Sequence, residues 1–160
     1  MRKAELLKII DDGQERTFRI TQMPATRAGR WANRMAFLFG NSFEQIMALA
    51  DKAGQEENEN DEASILPDVM RLILSVDYEK AEPLYNELIE CCEYLPDGAN
   101  INGAGIPCSQ GTIDAQIVDP VNLYKLRAAA LKLNFRFFMG ALQRQDLIKN
   151  TITFTKNAQT

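Results

Sequence analysis

Apolar residues in this chain recur mostly at helical spacing, and the start of the chain is the exception. Phe18 and Ile20 alternate with Arg19 and Thr21, the period of two expected of a half-buried strand. A second β-compatible run, Glu5 to Ile10, precedes it, and Asp12-Gly13 between the two is a turn signal. The pattern predicts a hairpin. A short helix over Ala4 to Ile10 is the competing reading, because Leu6, Leu7 and Ile10 also share a helical face. A lone hairpin is marginal in water and must pack on something.

The helix that follows is the nearest candidate. It begins near Ala25 or Thr26, after Gln22-Met23-Pro24. Ala28, Trp31, Ala32, Met35, Ala36 and Phe39 step by three and four along one face. The only tryptophan lies on that face, so this helix is expected to anchor the core. Arg27, Arg30 and Arg34 lie opposite, with no acidic partner inside the helix. A solvated face is the plain reading, and a docking face for an acidic partner is the sharper one. Gly40-Asn41 suits a C-cap.

Ser42 with Gln45 has a capping-box spacing, and Phe43, Ile46, Met47 and Ala50 predict a second helix ended by Gly54. Residues 55–62, QEENENDE, contain no apolar residue and read as a solvated linker. Val69, Leu72, Ile73 and Val76 form a helical stripe behind Pro67. Asp77 to Lys80 reads as a break or tight turn. Leu84, Leu88, Cys91 and Cys92 then predict a helix from about Glu82 to Tyr94, with Pro83 in its first turn. One uninterrupted helix from Asp77 would place Pro83 inside it at roughly 3 kcal/mol, which favours two segments or a kink.

Residues 95–111 hold four glycines and two prolines and predict a loop. Gly103-Ala104-Gly105 lacks the leading strand, the third glycine and the GK[ST] of a phosphate cradle. Thr112 to Val118 reads as a short extended segment. Asp119 caps a long helix with Pro120 at its first position, continuing to about Gln143. Leu123, Leu126, Ala130, Leu133, Phe137 and Ala141 make its stripe, widened by Leu131, Phe135 and Phe138. The tail from Gln145 is weakly patterned. Its Thr151 to Phe154 stretch suits a strand, disorder, or a docking peptide. Together these elements predict a mainly α fold. A small helical domain spans residues 1–144, with a short N-terminal β-hairpin, an acidic linker near 55–62 and a flexible tail over 145–160.

Composition narrows the function. The 160 residues suit one domain with a real core. No run of about 18 apolar residues exists, so no membrane span is expected, and the N-terminus lacks a secretory apolar region. A cytoplasmic location follows. The chain has no histidine, which removes the commonest general base and metal ligand. Cys91, Cys92 and Cys108 lack metal-site spacing, and an odd number with one adjacent pair does not suit a disulfide framework, so no metal and no cofactor are expected. Asp11, Asp12, Asp61 and Glu62 could pair as catalytic carboxylates, but they fall in a turn and a linker, and an enzyme is disfavoured. The net charge of −4 hides a strongly acidic middle between basic ends. Such an arrangement suits ends that fold back, or an end kept for a partner, and argues against a dedicated nucleic-acid binder.

The order of pieces resembles the tail assembly chaperones of tailed bacteriophages. The likeness rests on Thr21-Gln22-Met23-Pro24-Ala25, on Arg30-Trp31-Ala32 and Arg34, and on Leu123, Lys125, Leu126, Arg127, Phe137 and Phe138. It implies a non-enzymatic protein of the bacterial host cytoplasm that binds the tape-measure protein and keeps it soluble during tail assembly. It also implies that a longer frameshifted form is often made. Self-association is a further expected contact. The residues expected to meet a partner are Arg30, Trp31, Arg34, Phe135, Phe137 and Phe138. The alternative is a structural phage component, a connector or tail-completion protein, retained in the virion.

Overall fold

Asp12 and Gly13 both have positive φ, 47° and 73°, the backbone of a tight two-residue turn. They join strand β1 (Ala4–Asp11) to strand β2 (Gln14–Thr21), paired antiparallel from Ala4 with Thr21 to Asp11 with Gln14. The hairpin reading therefore holds over the competing short helix. The chain is seen in a computed structural model that describes residues 1–42, 45, 48, 71, 75–98 and 100–136. The expected second helix with Phe43, Ile46, Met47 and Ala50, the 55–62 run and the stripe of Val69, Leu72 and Ile73 lie outside those residues. So do Phe137, Phe138 and the tail over 145–160.

The fold is α+β, which corrects the expectation of a mainly helical domain. Strand β3 (Cys92–Leu95) pairs antiparallel with β2, and β4 (Ile106–Pro107) pairs antiparallel with β3. The sheet order is β1-β2-β3-β4. The sequence pattern predicts helix to about Tyr94 and a loop from Leu95. That helix, α2 (Tyr78–Ile89), instead stops before Glu90, and the chain turns directly into the sheet. The expected break at Asp77 to Lys80 is an N-cap, with the Asp77 carboxylate accepting from the Glu79 amide at 3.1 Å. Pro83 sits within this single helix, in its second turn and exposed. The bond it withholds from the Glu79 carbonyl is left to water. The expected extended segment at Thr112 to Val118 is mostly helix α3 (Gln110–Gln116), capped by Ser109, whose hydroxyl accepts from the Thr112 amide at 3.3 Å.

Helix α1 (Ala25–Phe39) and a last helix, α4, over residues 120–136 complete the layer on the inner side of the sheet. The inner face of the sheet presents Phe18, Ile20 and Cys92, each 2 % exposed or less. Trp31 and Met35 of α1, Leu84 and Leu88 of α2, and Leu126 and Phe135 of α4 belong to the same buried cluster. Ala36, expected on the buried face of α1, is exposed.

Helix α4 is fastened at its start and again about three turns on. The buried Asp11 carboxylate accepts from the Val118 amide at 2.9 Å, the Asp119 amide at 3.2 Å and the Asn122 side-chain amide at 2.7 Å. Further along it the buried Asn134 accepts from the Met23 amide, and Arg136 lies 3.7 Å from Glu5. The lengths match. Fourteen helical residues rise about 21 Å, and six strand residues span about 20 Å.

The outer face of the sheet carries a different device. Arg19 donates through Nε to Glu93, opposite it on β3, at 2.8 Å. Its Nη1 donates to the carbonyls of Ile101 at 2.8 Å and Gly103 at 2.9 Å. The glycine-rich loop is thereby clasped over the strands. At Gly105 a β-carbon would meet Glu93 Cβ at 2.9 Å and Arg19 Nη2 at 3.0 Å, so this position has no room for a side chain.

Candidate functional site

The six residues expected to meet a partner separate into three groups. Trp31 and Phe135 are each fully buried, with rings stacked 4.4 Å apart between centroids. The Trp31 indole N–H also donates to the Leu84 carbonyl at 2.9 Å, so this side chain joins α1, α2 and α4. Contact between either ring and a partner would require the core to open. Phe137 and Phe138 lie outside the described residues.

The arginines divide by where they fall around α1. Arg34 pairs with Glu87, and Arg27 pairs with Glu90 and lies 3.6 Å from Glu87. Glu87 stands on α2 and Glu90 caps its end, so no inspection of α1 by itself could reveal them. Glu87 is the better shielded carboxylate, with 18 % of its side chain exposed. The pairs are half in water and serve to orient α1 against α2 more than to add stability. Arg30 is exposed and makes no ion pair or hydrogen bond among the described residues.

Arg30 has a neighbour on the outer side that the hydrophobic pattern did not single out. Phe37 is 93 % exposed and lies seven residues, two turns, further along α1. A signal was present: Phe37 falls off the stripe of Ala28, Trp31, Ala32, Met35 and Phe39, so an aromatic ring had been placed where burial was not available. An exposed phenylalanine and an unpaired arginine on one helix face can receive an apolar anchor and an acidic side chain.

No comparable arrangement for bond-making chemistry is found among the described residues. The three cysteines are reduced and buried. Burial pushes the Cys91 thiol up to about 11 and the Cys108 thiol up to about 12, and raises Cys92 well above its ordinary value. Such thiols are protonated and poor nucleophiles. Asp11 is occupied by its three donors, and Asp12 lies in the hairpin turn. Among the described residues, no three His, Cys, Asp or Glu side chains gather to hold an ion, and no helix is long and apolar enough to cross a membrane.

The described residues thus form a small α+β fold with Arg30 and Phe37 exposed on the outer side of α1. The chain belongs to the phage tail assembly chaperone family: residues 12–145 match the family described as "Phage tail assembly chaperone protein, TAC". No curated protein and no solved structure matches it.

Proposed function

We propose that the chain acts without catalysis, in the bacterial host cytoplasm, by binding the tape-measure protein of the phage tail and keeping it soluble until the tail tube forms. Membership of the tail assembly chaperone family carries this reading. The outer face of α1 supports it physically. Arg30 and Phe37 suit an amphipathic partner helix that offers an acidic residue and an apolar one two turns apart. Arg34, beside them and already paired with Glu87, lends positive charge to the same face. Trp31 and Phe135 contribute by fixing α1 in place.

The test is co-expression with the tape-measure protein. The tape-measure protein is expected in the soluble fraction, bound to this chain, and in the pellet without it. The Arg30→Glu, Phe37→Ser double variant should lose the complex while keeping the unfolding midpoint of the parent. A tape-measure protein indifferent to the chain, or the chain present in purified virions, overturns the reading.

A further inference from the structure

Arg127 on α4 differs from Arg19 of the sheet, which is also half-buried. Arg19 has Glu93 within 2.6 Å. Among the described residues, Arg127 has no carboxylate within 4 Å. Its guanidinium carbon lies 5.5 Å from the centre of the Tyr85 ring and 5.9 Å from that of Tyr124. Two rings attract a cation through their faces but accept no conventional hydrogen bond. Accordingly, Arg127 Nε is buried with no hydrogen-bond partner. The hydroxyl of Tyr85, a residue only 8 % exposed, is also buried and unpartnered. Two covered donors beside a cation without a counter-ion are a costly combination in a folded chain, and each calls for an acceptor.

The surroundings define that acceptor. Burial pushes the Tyr85 hydroxyl up to about 12, so it stays a donor at neutral pH. Tyr78, Glu82 and Tyr85 follow one another at helical spacing on α2, and Tyr78 and Glu82 both act on the charge of Arg127. Glu82, which acts on Arg127 only through space, opposes a multiply charged group such as phosphate more strongly than a single carboxylate. Tyr78, 60 % exposed, adds an apolar surface at the edge.

We propose that Arg127, Tyr85 and Tyr124 form a receiving site for a single aspartate or glutamate side chain of a partner protein, flanked there by an apolar residue that covers Tyr78. The terminal nitrogens of Arg127 meet the carboxylate first. Nε and the Tyr85 hydroxyl are reached as the half-buried Tyr124 ring shifts aside. The site lies between α2 and α4, apart from the outer face of α1, and does not depend on which protein the chain escorts.

The experiment is NMR on the full chain, following the Arg127 side-chain N–H resonance. The probe is an alanine-based helical peptide of about 20 residues, long enough to stay helical. It carries one glutamate with a leucine one turn away, and its control has glutamine in place of the glutamate. The glutamate peptide is expected to shift the resonance saturably, and the glutamine peptide to leave it in place. Tyr85→Phe should weaken binding by about tenfold, the worth of a hydrogen bond to a charged group. Because that hydroxyl makes no bond in the free chain, the same variant should keep the parent's urea midpoint. Equal responses to the two peptides, no response, or a fallen midpoint in Tyr85→Phe overturns the proposal. An identical shift from sodium acetate at matched carboxylate concentration also overturns it, by reducing the site to a small-anion site.

Discussion

The indole of Trp31 is stacked on the ring of Phe135, with centroids 4.4 Å apart and planes 25° from parallel. The two residues stand on α1 and α4, and the indole N–H reaches α2 through the Leu84 carbonyl. Trp31→Ala is expected to lower the unfolding free energy by about 3–5 kcal/mol, a large part of the roughly 5–15 kcal/mol usual for a domain. Trp31→Phe keeps a ring but gives up the indole's bond to the Leu84 carbonyl, and should cost less. Urea unfolding followed by far-UV circular dichroism measures both, since each change removes the only tryptophan. A loss under about 1 kcal/mol for Trp31→Ala would contradict a central role for the ring.

Asp11 should make stability depend on acidity. The Asn122 side-chain amide holds its carboxyl below the ordinary 3.8; burial opposes this, and the Val118 and Asp119 amides reinforce it. A carboxyl that is more acidic in the folded chain stabilises fully above its unfolded value and stops doing so as pH falls through its folded value. The urea midpoint should therefore drop below about pH 4, and Asp11→Asn should flatten that part of the profile. An unchanged slope in the variant would assign the acid sensitivity to other groups.

Gly105→Ala should open the clasp on the outer face. The added methyl group would lie 2.9 Å from Glu93 Cβ and 3.0 Å from Arg19 Nη2, so Arg19 must release the loop or the strands must shift. The expected cost is about 1–3 kcal/mol. Amide exchange should quicken at Ile101 and Gly103 first. A variant with parent stability and unchanged exchange would show that the loop has slack.

The thiols should be silent in the folded chain. Cys91, Cys92 and Cys108 are buried, and burial raises all three above their ordinary value. A disulfide reagent at mildly alkaline pH is expected to leave the native protein unlabelled and to label all three once urea is added. Rapid native labelling of any one would reveal local opening near β3.

What could be read from the sequence was what neighbouring residues decide. The Asp12-Gly13 turn with its alternating flank, the apolar stripe of α1, and the Asp119-Pro120 start of α4 are local signals. Strand β3 was lost because Leu84, Leu88, Cys91 and Cys92 keep helical spacing past the end of α2. Only its pairing with Phe18 and Ile20, far back in the chain, makes the Cys92–Leu95 segment a strand. Strand β4 has two residues, and α3 buries only Ile113, so neither offers a period to detect. The partners of Arg27 and Arg34 stand on and just past another helix, and the unpartnered donors at Arg127 and Tyr85 exist only once α2 and α4 meet.

The pairing of β2 with β3 also sets a timetable. Arg19 and Glu93 face each other across the sheet although 74 residues separate them. As the chain leaves the ribosome, the hairpin can form at once, but the second edge of β2 stays unpaired until Glu93 has been made. That interval exposes Phe18 and Ile20 and makes the newborn chain vulnerable to wrong strand pairing.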